Sequence, residues 1–254
     1  VVFIVCQLLI LLQRFGESVS EMNARGEIAE TAQKDFLNVI SHELRTPLNA
    51  IMGMSDMLSK SELTALQREK LTTLRKNGED LNSLLMDVLS MSEINRNTMK
   101  LNKRPFNLSE TIDEAIKLAR KDLGSKPVQF GKEIPDDIPT GLVGDQDKIR
   151  QILRHLLSNA FKFTKEGEVR FNCIIEEVNK KNLQLRFTVS DTGIGMSKNQ
   201  LQDVFNPFNQ GDRGNTRVFG GAGLGLTVSK QMAELMGGDL GLKSRKDEGT
   251  TATF

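Results

Sequence analysis

The chain has 254 residues, with 34 Lys or Arg against 33 Asp or Glu, so its net charge is close to zero. This balance gives no electrostatic reason to expect nucleic acid as a partner, and Trp and Tyr, which stack on bases, are both absent. The length allows two domains with separate cores. The two cysteines, Cys6 and Cys173, lack metal-site or disulfide spacing, which favours a reducing, cytoplasmic setting.

The first residues, Val1 to Leu12, are apolar except for Gln7. This run is shorter than the roughly 20 residues that span a bilayer, but the sequence does not begin with Met and can be a piece of a longer chain. Gln13 and Arg14 follow, as is typical where a helix leaves the membrane on its cytoplasmic side. We interpret residues 1–13 as the end of a transmembrane helix and the rest as the cytoplasmic part of an inner (cell) membrane protein. A buried helix or the start of a coiled coil is the alternative.

Residues 14–35 are polar and of mixed charge, which predicts a linker or signalling helix. After it, apolar residues recur every three or four positions, as in an amphipathic helix: Phe36, Ile40, Leu44, Leu48, Ile51, Met54 and Leu58. Turn residues at 59–64 precede a second, coiled-coil-like series: Leu71, Leu74, Gly78, Leu81, Leu85, Val88 and Ser92. Two such helices cannot bury both faces alone. Residues 36–97 therefore predict a helical hairpin that pairs with a second copy in a four-helix bundle.

His42 lies about 200° around its helix from the apolar stripe, so we expect its imidazole to face water. Thr46 is one turn further on the same face, Glu43 is adjacent in sequence, and Pro47 should bend the helix. If Glu43 accepts the proton of one ring nitrogen, the other nitrogen can attack an electrophile. Exposed histidines without a function are more common, so position alone leaves both interpretations open.

From residue 104 the pattern changes to short strands and helices, which predicts a separate α+β domain over 104–254. One helix is capped by Asn107 or Ser109 and runs through Leu118, and another begins at Asp145 and runs to about Phe163. The other predicted elements are strands at 128–134, 169–178 and 183–189, a helix at 224–236 and two short final strands. The polar segment 95–104 joins the two domains.

The helix that begins at Asp145 carries His155, Asn159 and Lys162 at positions i, i+4 and i+7, which places the three side chains on one face. An amide oxygen is a suitable ligand for Mg²⁺, and an ammonium group can contact phosphate oxygens. The simpler interpretation of these residues in isolation is the polar outer face of an amphipathic helix.

Two glycine-containing segments follow. Asp191 ends a predicted strand and is followed by Gly193 and Gly195; its carboxylate can accept a hydrogen bond from an exocyclic amine such as that of adenine, although Asp-x-Gly is also an ordinary turn. The run Gly220–Leu226 leads into a helix, whose first backbone amides can hold phosphate. Neither the dinucleotide-binding G-x-G-x-x-G spacing nor a P-loop motif is present.

The nine residues Ser41 to Asn49 closely resemble the phosphoacceptor box of sensor histidine kinases. In order and spacing, the three later segments resemble the ATP-binding domain shared by histidine kinases, gyrase-type ATPases and related chaperones. Phe205–Phe208 is similar to that family's phenylalanine box, and Glu248–Thr250 to its last glycine box. The resemblance covers residues 30–254 and implies the core of a sensor histidine kinase of a two-component system, simple or hybrid. The implied fold is a dimeric antiparallel four-helix bundle followed by an α/β sandwich that binds ATP and Mg²⁺.

The resemblance also implies residue roles. His42 would be phosphorylated from ATP, Glu43 would be its base, and Thr46 would place water when a partner is dephosphorylated. Asn159 would hold Mg²⁺ and Lys162 would contact the phosphates. The other implied ATP-binding residues are Asp191 at the adenine amine with Gly193, Gly195 and Thr250 beside it, Phe208 and Arg217 of a lid at 205–219, and Gly221, Gly223, Leu224 and Gly225 around the phosphates. The implied partners are a second copy and the receiver domain of a response regulator.

Two positions depart from the family pattern: His155 stands where Asn is usual, and Ala222 where Thr or Ser is usual. They favour, as an alternative, a catalytically weak or non-catalytic ATP-binding dimeric scaffold. A gyrase-type ATPase is a further alternative, against which the His42 helix argues. Because His42 and Asp191 belong to different predicted domains, phosphorylation would require the domains to swing together about the 95–104 joint. The sequence does not indicate the stimulus, the receiver or whether phosphorylation is in cis or in trans.

Overall fold

The computed structural model describes residues 28–96, 98–124, 126–135, 138, 141–179, 182–209 and 223–254, without the side chains at 28–42, 122, 176–179 and 182. The described residues form two compact units, which divide between Leu85 and Met86. The predicted transmembrane segment at 1–13 lies outside the described residues. Among the helices that are described, none is both long enough and apolar enough to cross a membrane.

Two long helices account for the first unit. Helix α1 spans Ile28–Ser59 and continues through Pro47, and α2 spans Ala65–Asn95, so that its last turns belong to the second unit. Thr64 begins α2: its hydroxyl accepts from the Gln67 amide (3.3 Å), and the Gln67 side chain accepts from the Thr64 amide (2.9 Å).

The two helices pack closely within the first unit, where a Cβ at Gly78 would lie 2.5 Å from the Met52 sulfur. An ion pair between Arg75 and Asp56 (2.9 Å) also joins them. The predicted helical hairpin is confirmed.

The second unit is built on a five-stranded sheet with the order β2-β4-β5-β7-β6. Its strands are β2 (Val128–Glu133), β4 (Gly167–Asn179), β5 (Asn182–Asp191), β6 (Gly241–Arg245) and β7 (Gly249–Thr253). Only the β2–β4 pair is parallel; the pairs β4–β5, β5–β7 and β6–β7 are antiparallel. A separate two-stranded sheet pairs β1 (Arg104–Phe106) with β3 (Leu142–Gly144).

Three helices share one hydrophobic core with this sheet: α3 (Leu108–Ala119), α4 (Gln146–Phe163) and α6 (Gly225–Leu235). Their buried residues recur with helical spacing, as Ile152, Leu153, Leu156 and Leu157 do in α4, and they meet sheet residues such as Phe171 and Phe187. Val88, Met91 and Ile94, at the end of α2, pack against the same core. This arrangement is the predicted α/β sandwich.

The long elements lie within a few residues of their predicted limits, and Asn107 is the cap of α3, through its side-chain oxygen and the Glu110 amide (3.2 Å). Four short elements were not predicted: β1, β3, the 3-10 turn Arg120–Asp122 and helix α5 (Lys198–Asp203). Each has six residues or fewer. Three residues are too few for any periodicity, and a helix of six residues makes fewer than about two turns.

Candidate functional site

The candidate phosphoacceptor lies in α1. The backbone of His42 is helical, and its side chain lies outside the description, so its expected orientation toward water stays a prediction. Glu43 and Thr46 are both exposed on the same helix, whereas Leu48, from the predicted apolar stripe, is buried. The first unit therefore presents the Glu43 carboxylate and the Thr46 hydroxyl to solvent within the helical turn that follows His42.

Helix α4 supplies the candidate metal and phosphate ligands of the second unit. Asp145 fixes its start, because one carboxylate oxygen accepts from the Lys148 amide (3.1 Å) and the other from the Asn102 amide (2.8 Å). Near the other end, Asn159 and Lys162 are half-buried, and the Lys162 ammonium lies 5.1 Å from the centre of the Phe163 ring. The side-chain amide of Asn159 has no hydrogen-bond partner among the described residues.

His155 differs from its expected place. The i, i+4, i+7 spacing placed His155 on one polar face with Asn159 and Lys162, but only 7% of the residue is exposed. Its Nδ1 lies 3.0 Å from the Ser229 hydroxyl of α6. The simpler interpretation, a polar outer face, therefore does not hold for His155, because helix α6 covers this part of α4.

The end of α4 is held by a residue that the motifs did not indicate. The Lys126 ammonium donates to the carbonyl oxygens of Phe161 (2.8 Å) and Lys162 (2.9 Å), and the Thr164 hydroxyl donates to that of Ala160 (2.7 Å). A cation at this position satisfies carbonyls that lack helical partners and also complements the helix dipole. Lys126 lies in a segment without periodicity, so no sequence signal pointed to it.

Asp191, the candidate adenine ligand, is half-buried at the end of β5. Its Oδ1 accepts a hydrogen bond from the Gly193 amide (2.9 Å), and the Thr250 amide also donates to the carboxylate. Burial raises the pKa of Asp191 above its ordinary value, and these two amides partly offset that rise. Two donors leave the carboxylate with unused acceptor positions for a ligand amine.

The two glycines after Asp191 allow close approach of the chain to itself. A Cβ at Gly193 would lie 2.6 Å from the Phe163 carbonyl oxygen, and one at Gly195, where φ is +59°, would collide with the Arg245 carbonyl. The sequence predicted that these glycines let the backbone come close to a ligand ring. The contacts that the structure describes at both glycines are with backbone carbonyl groups of the protein itself. Since the Ile194 amide also donates to the Phe163 carbonyl (3.4 Å), the Asp191 loop is fastened to the end of α4.

Thr250 belongs to a small hydroxyl network that the sequence did not reveal. Its hydroxyl lies 2.9 Å from that of Ser244, and Ser244 also donates to the Gly249 carbonyl (2.8 Å). The Met196 amide in turn donates to Ser244 (2.8 Å). The loop after Asp191 is thereby joined to strands β6 and β7.

Of the predicted lid at 205–219, the structure describes only residues 205–209. Phe205 accepts through its carbonyl from the Thr227 hydroxyl (2.8 Å), and the Phe208 amide donates to the Gly223 carbonyl (3.2 Å). Phe208 is exposed and has a φ of 62°, which is uncommon for a residue other than glycine. Leu224 is buried and Gly225 begins α6. Arg217 and Gly221, together with Ala222, lie outside the described residues.

Two family models match separate parts of the chain. Residues 32–97 match the His Kinase A (phospho-acceptor) domain, and residues 144–254 match the histidine kinase-, DNA gyrase B-, and HSP90-like ATPase. The chain therefore belongs to the histidine kinases, and it contains a phosphoacceptor domain followed by an ATPase domain. The predicted class of protein is confirmed.

Individual relatives agree with this assignment. The chain is 40% identical over 231 residues to the peroxide stress-activated histidine kinase mak2 of Schizosaccharomyces pombe, covering 89% of this chain and 10% of that protein. It is 38% identical over 229 residues to the sensor histidine kinase GacS of Pseudomonas protegens, covering 89% of this chain and 25% of that protein. This chain thus spans a quarter or less of the length of these curated relatives.

A solved structure is similar over most of the chain. Full-length ShkA in complex with AMPPNP matches with a TM-score of 0.65 and 31% identity, covering 87% of this chain and 45% of that one. Acinetobacter baumannii AdeS, at 20% identity and a TM-score of 0.54, shares the fold. Both similarities support the order of a helical hairpin followed by an α/β sandwich.

Proposed function

We propose that this protein phosphorylates itself on His42 from ATP and passes the phosphate to an aspartate of a response-regulator receiver domain. The observation that carries the proposal is the presence on one chain of two complementary parts. One is an ATPase-type sandwich in which the Asp191 carboxylate has unused hydrogen-bond acceptor positions. The other is a phosphoacceptor hairpin in which Glu43 is adjacent to His42 in sequence. A nucleotide-binding domain alone would not need the second part.

The residues around Asp191 fit an adenine nucleotide. Its half-buried carboxylate has acceptor capacity beyond the Gly193 and Thr250 amides, and an adenine amine would satisfy it. Lys162 would contact the phosphates from the end of α4. The similar protein ShkA was solved with the ATP analogue AMPPNP, which supports a nucleotide at the corresponding place here.

The half-buried Asn159 amide fits Mg²⁺, because it is an oxygen ligand without a partner among the described residues. When bound, the ion would neutralise charge on the transferred phosphate. Asn159 would hold the ion, Lys162 would add a second positive charge, and Glu43 would take the imidazole proton from His42. Catalysis would then rest mainly on positioning and on charge neutralisation.

The proposal includes three further features. Thr46, exposed one turn after His42, would orient water in the dephosphorylation of a receiver. The hairpin would pair with a second copy of the chain. Residues 1–13 would attach the protein to the cell membrane, with the kinase core on its cytoplasmic side.

A labelling experiment tests the main proposal. The protein is incubated with γ-labelled ATP and Mg²⁺, and we expect an acid-labile, base-stable phosphate in the wild type. His42→Gln should abolish the label and leave ATP binding unchanged, because His42 is the proposed nucleophile and belongs to the other unit of the chain.

The same assay separates the other activities. Release of phosphate without labelling of the protein would indicate a simple ATPase, and neither labelling nor release would indicate a scaffold. Label retained in His42→Gln would contradict the assignment of His42. In the reverse reaction, Thr46→Ala should keep autophosphorylation and slow the decay of a labelled receiver.

A further inference from the structure

His155 contacts the start of helix α6. Its Nδ1 lies 3.0 Å from the Ser229 hydroxyl, and a Cβ at Gly225 would lie 3.5 Å from its ring. Gly225 is the first residue of α6, and Ser229 lies one turn later and is fully buried. The imidazole therefore supports the turn with which α6 begins, directly after the glycine-rich segment.

The other side of the ring faces the end of α2. His155 Nε2 lies 3.2 Å from Asp87 Oδ1, and the two side chains are only 8% and 10% exposed. Asp87 belongs to the same compact unit as His155 and is the second residue of that unit. Helix α2 is continuous from Ala65 to Asn95, so the position of Asp87 is tied to the rest of that helix.

A third group competes for the same nitrogen. Arg154 Nη2 lies 3.1 Å from His155 Nε2. Nε2 can accept a hydrogen bond from Arg154 or, when it carries a proton, donate one to Asp87, but it cannot do both. Asp87 Oδ1 is buried and accepts no well-directed hydrogen bond from the described residues, so His155 is the group that can compensate its burial.

We propose that His155 is a positioning residue that links Asp87 of α2 to the start of α6, so that nucleotide affinity depends on Asp87 through His155. This inference rests on the proposed function, since it takes Gly223, Leu224 and Gly225 at the start of α6 as part of the ATP site. A displacement of the end of α2 moves or releases Asp87. The ring then changes its partner at Nε2, and its support of Gly225 and Ser229 changes with it.

A double-mutant cycle tests the link. Binding of AMPPNP with Mg²⁺ is measured by calorimetry for wild type, Asp87→Asn, His155→Asn and the double variant. Residues that act through a direct contact are not additive, so Asp87→Asn should weaken binding about three- to tenfold when His155 is present. In the His155→Asn background the same change should have no further effect.

Controls separate this link from a general loss of stability. Ser90→Ala changes another buried polar residue of α2, one turn beyond Asp87, and should leave affinity unchanged. Ser229→Ala cuts the other end of the link, and in that background Asp87→Asn should again lose its effect. Thermal unfolding of every variant reports folding independently of nucleotide binding.

The outcomes are distinct. An unchanged affinity in Asp87→Asn, or equal weakening with and without His155, would overturn the link, whether or not the protein phosphorylates itself. If AMPPNP binding shows the expected coupling but His42 acquires no label, the proposed kinase activity fails and the link stands. A wild-type protein that does not bind AMPPNP would overturn both.

Discussion

The carboxyl group of Asp191 is half-buried, so the fold has removed part of its contact with water. Burial raises the pKa of this carboxyl, and the Gly193 and Thr250 amides recover only part of the lost solvation. A carboxyl whose pKa is higher in the folded state favours folding fully below its unfolded pKa. That contribution is lost as the pH rises through the folded pKa. Above the folded pKa, the ionised carboxylate therefore lowers the stability of the ligand-free protein.

Asp191→Asn should consequently separate stability from binding. We expect the ligand-free variant to be more stable than wild type at pH 7, and the difference should shrink as the pH falls through the folded pKa. Its affinity for ATP should fall about ten- to a hundredfold, because a donor would face the adenine amine. Urea unfolding between pH 4 and 8 and calorimetry at pH 7 measure the two effects.

The matched control is Asp239→Asn, since Asp239 is an exposed carboxyl. It should change neither the pH dependence of stability nor the affinity for ATP. A variant at Asp191 that is less stable than wild type at pH 7 would show that the carboxylate is needed by the loop itself.

The sequence predicted single residues correctly where their position depends on residues close to them in the chain. Asp191 lies at the end of its strand, as expected, and the turn after it requires Gly195. His155 was misplaced because helical spacing within α4 contains no information about α6. Lys126 was missed for the same reason, since its two acceptors lie 35 and 36 residues away.

At the scale of elements, the end of α4 depends on one lysine. Lys126→Met removes two charge-assisted hydrogen bonds and leaves two partly buried carbonyls without their donor. The unfolding free energy should fall by about 1–3 kcal/mol. ATP affinity should fall severalfold as well, because α4 carries Asn159 and Lys162. Urea unfolding and calorimetry give the two values.

Lys132→Met is the matched comparison. The Lys132 ammonium pairs with the mostly exposed Asp113 carboxylate at 2.5 Å, and such surface pairs contribute little. It should change stability by at most about 1 kcal/mol and leave ATP affinity unchanged. Equal effects of the two substitutions would mean that Lys126 acts only through its general charge.

The long elements could be predicted because each has a regular apolar spacing, as helices α1, α2 and α4 and strands β4 and β5 show. The strands β1 and β3 could not be predicted, because each has only three residues. They form because Arg104–Phe106 pairs with Leu142–Gly144. That pairing depends on the tertiary fold, which brings two distant segments together.

For the whole molecule, the exposed apolar side chains of the first unit favour a dimer. Met54, Met57, Leu58 and Leu66 are 54–75% exposed, and all four lie near the connection between α1 and α2. Such a cluster is typical of an interaction surface. Met57→Glu combined with Leu66→Glu should therefore convert a dimer to a monomer, as measured by analytical ultracentrifugation.

A control for this substitution is Ile174→Glu. Ile174 is also an exposed apolar residue, at 42%, but it lies on the sheet of the second unit. It should leave the sedimentation coefficient of the dimer unchanged. A wild-type protein that sediments as a monomer at micromolar concentration would contradict the proposed pairing.

The boundary between the two compact units lies earlier in the chain than the polar segment that the sequence suggested as the joint. The sequence placed the joint at 95–104, whereas the compact units divide between Leu85 and Met86, inside α2. The end of α2 contributes Val88, Met91 and Ile94 to the second core. A coiled-coil-like spacing could not show this, because it continues unchanged as the helix passes from one core to another.

The strand order of the sheet has a consequence for the folding pathway. The antiparallel pairs β4–β5 and β6–β7 join neighbours in the chain, so little loop-closure entropy opposes their formation. Strand β2 pairs with β4 in parallel, and α4 lies between them in sequence. We therefore expect the two hairpins to form early and β2 to add last, as non-local parallel pairing is intrinsically slow. A nascent chain would hold Val128–Glu133 unpaired until β4 is complete.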